Sequence, residues 1–290
     1  MAAETPFREP APAKINLYLH ITGKRPDGYH LLDSLVVFAN TGDRIEAASA
    51  DTLTLDYLGP FADDLPEPES NLVMRAAREL ARLFGISRGA HLTLFKNLPV
   101  ASGIGGGSAD AAAALRALIR LWQLDPEDGR IGKLALSLGA DVPVCLMTRP
   151  AVMRGIGEDL QLLTSFPELP VLLVNPGTAV STPAVFKART GNFSTAFDWP
   201  GDARDPAGVF DALAQTGNDL QAPAITQEPA IGVALEVLGK QSGIRLQRMS
   251  GSGATCFGIF ESEETAHAAA HEISALYPDW WVQAASVYGS

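Results

Sequence analysis

The 290-residue sequence is poor in cysteine and has no long apolar run. Its only cysteines are Cys145 and Cys256, and two isolated cysteines without metal-ligand spacing argue against a disulfide framework or a zinc site. No apolar stretch reaches the length that spans a bilayer, and residues 1–12 lack the apolar core of an export signal. We therefore expect a cytoplasmic protein without a membrane segment.

Positive charge is also scarce, because 22 lysines and arginines stand against 33 aspartates and glutamates, for a formal net charge of −11. Such an acidic chain is a poor match for nucleic acid or for an anionic membrane surface. An anionic small substrate stays possible, since a local basic site can lie on an acidic protein. We expect a small-molecule substrate, no nucleic-acid or membrane partner, and a monomer or weak homodimer.

Glycine, in contrast, is concentrated in the stretch 99–112. Four glycines lie between Gly103 and Gly107 and leave backbone amides uncovered by side chains, and an alanine-rich helix follows at once. The positive end of that helix and the open amides together favour a phosphate-binding site. The alternative interpretation is a flexible loop that only caps a helix.

This loop differs from three better-known phosphate loops. Gly107 is followed by Ser108 and Ala109, whereas a Walker loop needs Lys-Ser or Lys-Thr there. A dinucleotide-binding loop counted from Gly103 would have Ser108 in place of its third glycine. The His-Arg-Asp and Asp-Phe-Gly signatures of protein kinases are absent.

Apolar periodicity predicts a mixture of strands and helices without regular βαβ alternation, which indicates an α+β fold. The predicted strands are Ala13–Ile21, His91–Lys96, Val171–Val174, Ile244–Met249, Thr255–Phe260 and Trp281–Val287. The predicted helices are Ser70–Phe84 with Ser70 as N-cap, Ser108–Trp122, Arg130–Leu138 ended by Gly139, Pro229–Lys240 and Glu263–Leu276. Residues 56–69 and 190–207 are predicted surface loops. We expect two domains, residues 1–158 and 159–290.

Several side chains around the predicted loop suit phosphoryl transfer, which needs the phosphates held, their charge neutralised and the attacking hydroxyl oriented. Lys14 and Asn16 share one face of the first strand, Asp141 follows the turn after the third helix, and Ser108 offers a hydroxyl. Each has a plain alternative: a solvated lysine, a turn-forming aspartate and a helix N-cap. The second glycine cluster, 249–254, is either a hairpin turn or a second backbone nest for phosphate.

Three of these stretches, 12–17, 98–108 and 250–254, occur in the order seen in the GHMP-kinase superfamily, which the chain resembles. Stretches 23–30, 138–143 and 181–186 further resemble the members that act on a cytidine-diphosphate-linked methylerythritol. The resemblance implies a two-domain α+β fold with the active site in the interdomain cleft. It also implies ATP and Mg²⁺ as cofactors, and transfer of the γ-phosphoryl group to the substrate's 2-hydroxyl in non-mevalonate isoprenoid biosynthesis.

The resemblance also implies roles for individual residues. Asp141 would be the catalytic aspartate that takes or orients the hydroxyl proton, and Lys14 would keep it ionised and neutralise charge in the transition state. The expected nucleotide-binding residues are Pro99, Ala101, Ser102, Gly103, Ile104, Gly105, Gly106, Gly107, Ser108, Asn71 and Lys96. The expected substrate-binding residues are Asn16, Tyr29, His30, Thr182, Phe186, Gly251, Ser252 and Gly253.

Among the substrate-binding residues, Tyr29 and Phe186 would stack on the pyrimidine, His30 would read its polar edge and Thr182 would contact the diphosphate. Ser108 would face the metal ion alone or with waters, because Ala109 stands where many members have a second serine. Two alternatives stay open on sequence alone. One is another kinase of the same superfamily, of the homoserine or mevalonate kinase type, and the other is a catalytically silent nucleotide-binding protein of this fold.

Overall fold

The computed structural model describes residues 5–200 and 205–289. Within those ranges the strands are β1 (Phe7–Lys24), β2 (His30–Ala50), β3 (Leu53–Leu58), β4 (Gly89–Phe95), β5 (Ala151–Gly155), β6 (Asp159–Leu162), β7 (Leu169–Asn175), β8 (Ile244–Met249), β9 (Cys256–Phe260) and β10 (Trp281–Val287). The helices are α1 (Leu72–Phe84), α2 (Gly106–Leu121), α3 (Gly129–Leu138), α4 (Val142–Met147), α5 (Thr182–Ala188), α6 (Pro206–Leu213), α7 (Gln221–Gln227), α8 (Ala230–Gly239) and α9 (Glu263–Leu276).

The chain divides into two compact units, and β1 and β2 pass from one into the other at residues 13–14 and 41–42. The first unit contains the described residues up to Ala13, Gly42–Val100 and Gly105–Thr148. In it the second half of β2 pairs antiparallel with β4, and β4 pairs in parallel with β3. Helices α1 to α4 pack on one another, and buried alanines on α2 allow its neighbours to come close.

The second unit contains Lys14–Thr41, Ala101–Ile104 and the described residues from Arg149 onward. Its sheet runs β10-β7-β9-β8 with antiparallel neighbours, and the first half of β2 pairs with β5 and at one position with β10. An apolar core that includes Ile21, Leu172, Ile231 and Phe260 lies between strands and helices of this unit.

Most of the predicted elements are confirmed, and three reproduce their predicted bounds: β8, β10 and α9. Helix α9 begins at the capping box of Ser262 and Thr265, which satisfies amides that would otherwise lack partners. Helix α3 ends at Gly139, as predicted. The mixed architecture confirms the α+β prediction, and the proposed boundary at residue 158 stays a prediction.

Some local predictions were wrong. Asn71, not Ser70, caps α1, because the Asn71 side chain accepts from the amide of Val73. Ser108 is not an N-cap, since α2 already begins at Gly106. The predicted loop 56–69 opens with the end of β3, which is held by pairing with β4. The predicted loop 190–207 has no regular structure up to residue 200 and meets α6 at Pro206, and residues 201–204 lie outside the described residues.

The lysine-bearing face of β1 is not solvated, so the alternative of a solvated Lys14 was wrong. Lys14, Asn16 and Tyr18 on this face are buried, with exposures of 4%, 1% and 0%. Among the described residues, no helix is both long enough and apolar enough to cross a membrane.

Candidate active site

The two glycine-rich segments of the sequence, 103–108 and 250–254, contact each other through residues of the second unit. The Ser250 hydroxyl donates to the carbonyl of Gly103 at 3.1 Å, and the Thr255 amide donates to the carbonyl of Ser102 at 3.0 Å. A Cβ atom at Gly103 would lie 2.6 Å from the carbonyl oxygens of both Ser250 and Gly253, and the residue has φ +76°. Only glycine allows this approach and this backbone conformation.

The second glycine-rich segment, 250–254, is bound by the side chain of Asn218. The Asn218 side-chain amide donates to the carbonyls of Met249 and Gly251 at 2.7 and 2.8 Å. A hydrogen bond also joins the two ends of the segment, because the Ser250 amide donates to the carbonyl of Thr255 at 2.9 Å. The glycines are visible in the sequence as a cluster, whereas no local pattern marks Asn218.

Strand β1 joins both glycine-rich segments. The Lys14 amide donates to the carbonyl of Ile104 at 3.0 Å, and the Asn16 amide donates to the Ser250 hydroxyl at 3.1 Å. Because strand side chains alternate, the side chains of Lys14 and Asn16 lie on the same face of β1. The second unit therefore brings together Lys14, Asn16 and both glycine-rich segments.

The start of α2, in the first unit, has the properties of an anion-binding site. Gly105 precedes the helix with φ +65°, and no side chain caps the first turn. The leading amides of a helix have no acceptor within it, so those of Gly106, Gly107 and Ser108 carry the positive end of the helix dipole. Gly107 is exposed, and a Cβ atom there would meet nothing within 4 Å. A phosphate group suits this position.

Lys96 lies below that helix start, in a buried ion cluster. Its ammonium donates to Asp43 at 2.5 Å and to Asp110 at 2.8 Å, and Asp43 also accepts from the amides of Asn97 and Leu98. The two carboxylates raise the pKa of Lys96 against the opposing effect of burial. Burial raises the pKa of Asp110 well above its usual range, although the Lys96 charge acts in the other direction.

Two predicted nucleotide-binding side chains thus have structural partners already. The Lys96 ammonium is 2% exposed and bonded to two carboxylates, and the Asn71 oxygen caps α1. Pro99 and Ile104 are buried, whereas Ala101 is exposed with φ +52°. Lys96 lies close to the helix start, because a Cβ atom at Gly106 would lie 3.0 Å from its Nζ, but Asp43 and Asp110 already hold its charge.

Asp141 immediately precedes α4 in the first unit. Its carbonyl accepts from the Cys145 amide at 3.1 Å, Pro143 lies in the first turn, and the residue is half-buried. Helix α4 packs on α2, the helix whose first turn holds Gly106 and Ser108. Asp141 and the first turn of α2 therefore belong to one packed group of helices.

The predicted base-binding residues form a separate group in the second unit. The rings of His30 and Phe186 lie 5.1 Å apart at 31°, while Tyr29 is 62% exposed. Burial lowers the pKa of His30, with smaller effects from Lys24 and Arg189, so the ring is favoured in its neutral form. A neutral imidazole offers both a donor and an acceptor, as reading a base edge requires.

Thr182 connects this region to the second glycine-rich segment. It is the first residue of α5, and its hydroxyl lies 2.7 Å from the hydroxyl of Ser252. Ser252 and its neighbours Gly251 and Gly253 are buried. Thr182 is therefore linked to the second glycine-rich segment by a hydrogen bond, whereas His30 and Phe186 contact each other through their rings.

Comparison with known proteins gives a consistent result along the whole chain. The family models for the N-terminal and the C-terminal domain of GHMP kinases match residues 71–149 and 202–279. A protein of Paramagnetospirillum magneticum named 4-diphosphocytidyl-2-C-methyl-D-erythritol kinase is 51% identical over 98% of this chain and 99% of its own length.

Solved structures agree. A crystal structure of 4-(cytidine 5′-diphospho)-2C-methyl-D-erythritol kinase is 31% identical, with a TM-score of 0.80 over 98% of this chain and 100% of that one. A homoserine kinase of Cytophaga hutchinsonii, 16% identical with a TM-score of 0.76 over 99% of this chain and 96% of its own, shares the fold. The chain belongs to the GHMP kinase family, in the branch formed by the 4-diphosphocytidyl-2-C-methyl-D-erythritol kinases.

Proposed function

We propose that this ATP-dependent small-molecule kinase transfers the γ-phosphoryl group of ATP to the 2-hydroxyl of 4-diphosphocytidyl-2-C-methyl-D-erythritol. The observation that carries the proposal is the 51% identity to a kinase of that name over nearly the full length of both chains. The local geometry of each unit is compatible with it, because the uncapped start of α2 in the first unit and the contacting glycine-rich segments in the second each suit phosphate groups.

In the proposed reaction Asp141 orients the acceptor hydroxyl and receives its proton, and the ammonium of Lys14 neutralises charge on the transferring phosphoryl group. The transition state of phosphoryl transfer is loose, so orientation of the nucleophile contributes more than strong basicity. The proposal assigns the ATP phosphates to the stretch 103–108. It assigns the cytosine to Tyr29, His30 and Phe186.

The proposal includes Mg²⁺, for which the donor set of the first unit is suitable. No group of three or more His, Cys, Asp or Glu side chains that could enclose a metal ion occurs in the described ranges. Mg²⁺ at phosphoryl-transfer sites is usually held by one or two protein oxygens, phosphates and water. The half-buried Ser108 hydroxyl, in the first turn of α2, would supply one such oxygen. When bound, the ion would neutralise phosphate charge.

The test is a comparison of acceptors with the purified protein, ATP and Mg²⁺. We expect phosphorylation of the cytidyl substrate, with the new phosphate located on the 2-hydroxyl by phosphorus–carbon coupling in NMR spectra. Homoserine and mevalonate serve as competing acceptors, because the homoserine kinase structure shares this fold. Preferred turnover of either would overturn the substrate assignment, and ATP binding without transfer to any acceptor would overturn the catalytic one.

A further inference from the structure

One buried polar atom near the glycine-rich segments has no partner. The Oδ1 atom of Asn16 has no hydrogen-bond partner among the described residues, although Asn16 is 1% exposed. A buried acceptor without a donor has lost its hydrogen bonds to water without replacement, so such atoms usually meet a ligand or a water. The amide nitrogen of the same side chain, by contrast, is bonded to the Ser34 hydroxyl at 2.8 Å.

The direction of these hydrogen bonds fixes the orientation of the Asn16 amide. The Ser34 hydroxyl has one proton and donates it to the carbonyl of Tyr18 at 2.5 Å. It can therefore only accept from Asn16, which requires the amide nitrogen on that side. Turning the amide over would place two oxygen acceptors against each other with no proton between them. Ser34 thus forces the Asn16 oxygen to point the other way.

That oxygen faces the second glycine-rich segment. A Cβ atom at Gly251 would lie 3.4 Å from Oδ1 of Asn16, so a side chain at 251 would touch the oxygen, and glycine leaves that space free. Lys14, two residues earlier on β1, has its side chain on the same strand face. The unpartnered acceptor therefore lies beside a residue that we assign to the reaction.

We propose that Ser34 is a positioning residue, which locks Asn16 so that the Asn16 oxygen accepts a hydrogen bond from one hydroxyl of the polyol acceptor. The site then selects a hydrogen-bond donor at that point of the substrate. This inference rests on the proposed function, since it names a contact of the same acceptor. A substrate that lacks the hydroxyl leaves a buried acceptor unpaired, which is the situation in which enzymes discriminate strongly.

The test compares Ser34→Thr with Ser34→Val, two variants of equal shape that differ in the hydroxyl. The dissociation constants of the cytidyl acceptor and of its three monodeoxy analogues are measured by calorimetry for each protein. We expect one analogue to bind the wild-type protein at least about tenfold more weakly than the acceptor. Ser34→Thr should keep this difference in dissociation constant. Ser34→Val should reduce it to less than about threefold, because it weakens binding of the acceptor and not of the analogue.

A merely structural role for Ser34 would weaken the acceptor and every analogue alike and leave the gap intact. A full gap in Ser34→Val overturns the inference, and so does a wild-type protein that binds all three analogues as well as the acceptor. The affinity for ATP and the thermal unfolding midpoint, measured for both variants, show whether both keep the wild-type fold. Absence of wild-type turnover would instead refute the proposed function, and this inference would fall with it.

Discussion

The Lys96 ammonium donates to the Asp110 carboxylate across 2.8 Å in the first unit, and the side chain of Lys96 is 2% exposed. Asp43 accepts from the same ammonium at 2.5 Å. Lys96 is the member that the other two share, so its removal leaves both buried carboxyl groups without their cation. This relationship makes Lys96 a residue on which the folding of the first unit depends.

We expect Lys96→Met to lower the free energy of unfolding by about 3–5 kcal/mol, because it leaves two buried carboxylates without their cation. Urea denaturation followed by circular dichroism measures the change. Lys240→Met is the matched control, since the Lys240 ammonium bonds Glu236 at the surface. The control should leave the denaturation midpoint unchanged. Equal midpoints for both variants would contradict the assignment of Lys96 to the folded core.

The raised pKa of Asp110 predicts a pH effect on stability. A carboxyl whose folded-state pKa exceeds its unfolded value, near 3.8, binds its proton more tightly in the native state. Its contribution is complete below that unfolded value and is lost as pH rises through the folded-state pKa. Relative to Asp110→Asn, whose amide does not titrate, the wild-type protein should therefore lose stability as the pH rises above about 4 and through the raised folded-state pKa of Asp110.

Urea midpoints of both proteins across that pH range measure this difference. Subtracting the variant's curve from the wild-type curve removes the contributions of the other titrating groups to first order. Parallel curves would mean that Asp110 keeps its ordinary pKa in the folded protein.

Two glycines of the stretch 103–108 should differ in how substitution by alanine affects stability. Gly103→Ala brings a Cβ atom within 2.6 Å of two carbonyl oxygens at φ +76°, so we expect a loss of about 1–3 kcal/mol in stability. Gly107→Ala meets no protein atom within 4 Å. Its thermal midpoint should not fall, but the new methyl group obstructs a phosphate at the helix start, and the KM for ATP should rise about tenfold.

Thermal unfolding and steady-state kinetics on the two variants decide between the roles. If Gly107→Ala binds ATP as the wild-type protein does, the start of α2 does not hold the phosphates. If Gly103→Ala unfolds with the wild-type midpoint, the contact between the glycine-rich segments does not require glycine.

The elements that the sequence predicted accurately are those whose signals are local. Helix α9 has a capping serine before it and regular apolar spacing, β8 begins with alternating apolar and polar residues, and β10 is short and mostly apolar. Strand β2 was missed because 40–43 reads Asn-Thr-Gly-Asp, a turn-like sequence, in the middle of a 21-residue strand. Pairing with β4 and β5 overrides that local preference.

The same distinction holds in the site. The glycine-rich segments, Lys14 and Asp141 stand out in the sequence because glycine clusters and motif order are visible there. Ser34 and Asn218 do not, because each acts on a residue at least 18 positions away. A lone serine or asparagine has many ordinary uses, and only the folded chain shows which atom it bonds.

The catalytic assignment itself predicts the kinetics of Lys14→Met and Asp141→Asn. Each should reduce kcat more than a hundredfold, on the order of 3 kcal/mol in the barrier, because each removes a charge at the reacting groups. The double variant should be little slower than the worse single one, since groups that act as a unit are not additive. Methionine keeps the length of the Lys14 side chain, which is 4% exposed, and thermal unfolding checks that the variant is folded. Lys133→Met and Asp159→Asn, at exposed positions of α3 and β6, are the matched controls and should retain wild-type turnover. Single-turnover measurements at saturating ATP separate the chemical step from binding, and a kcat within threefold of wild type in both single variants would refute the pair as the catalytic residues.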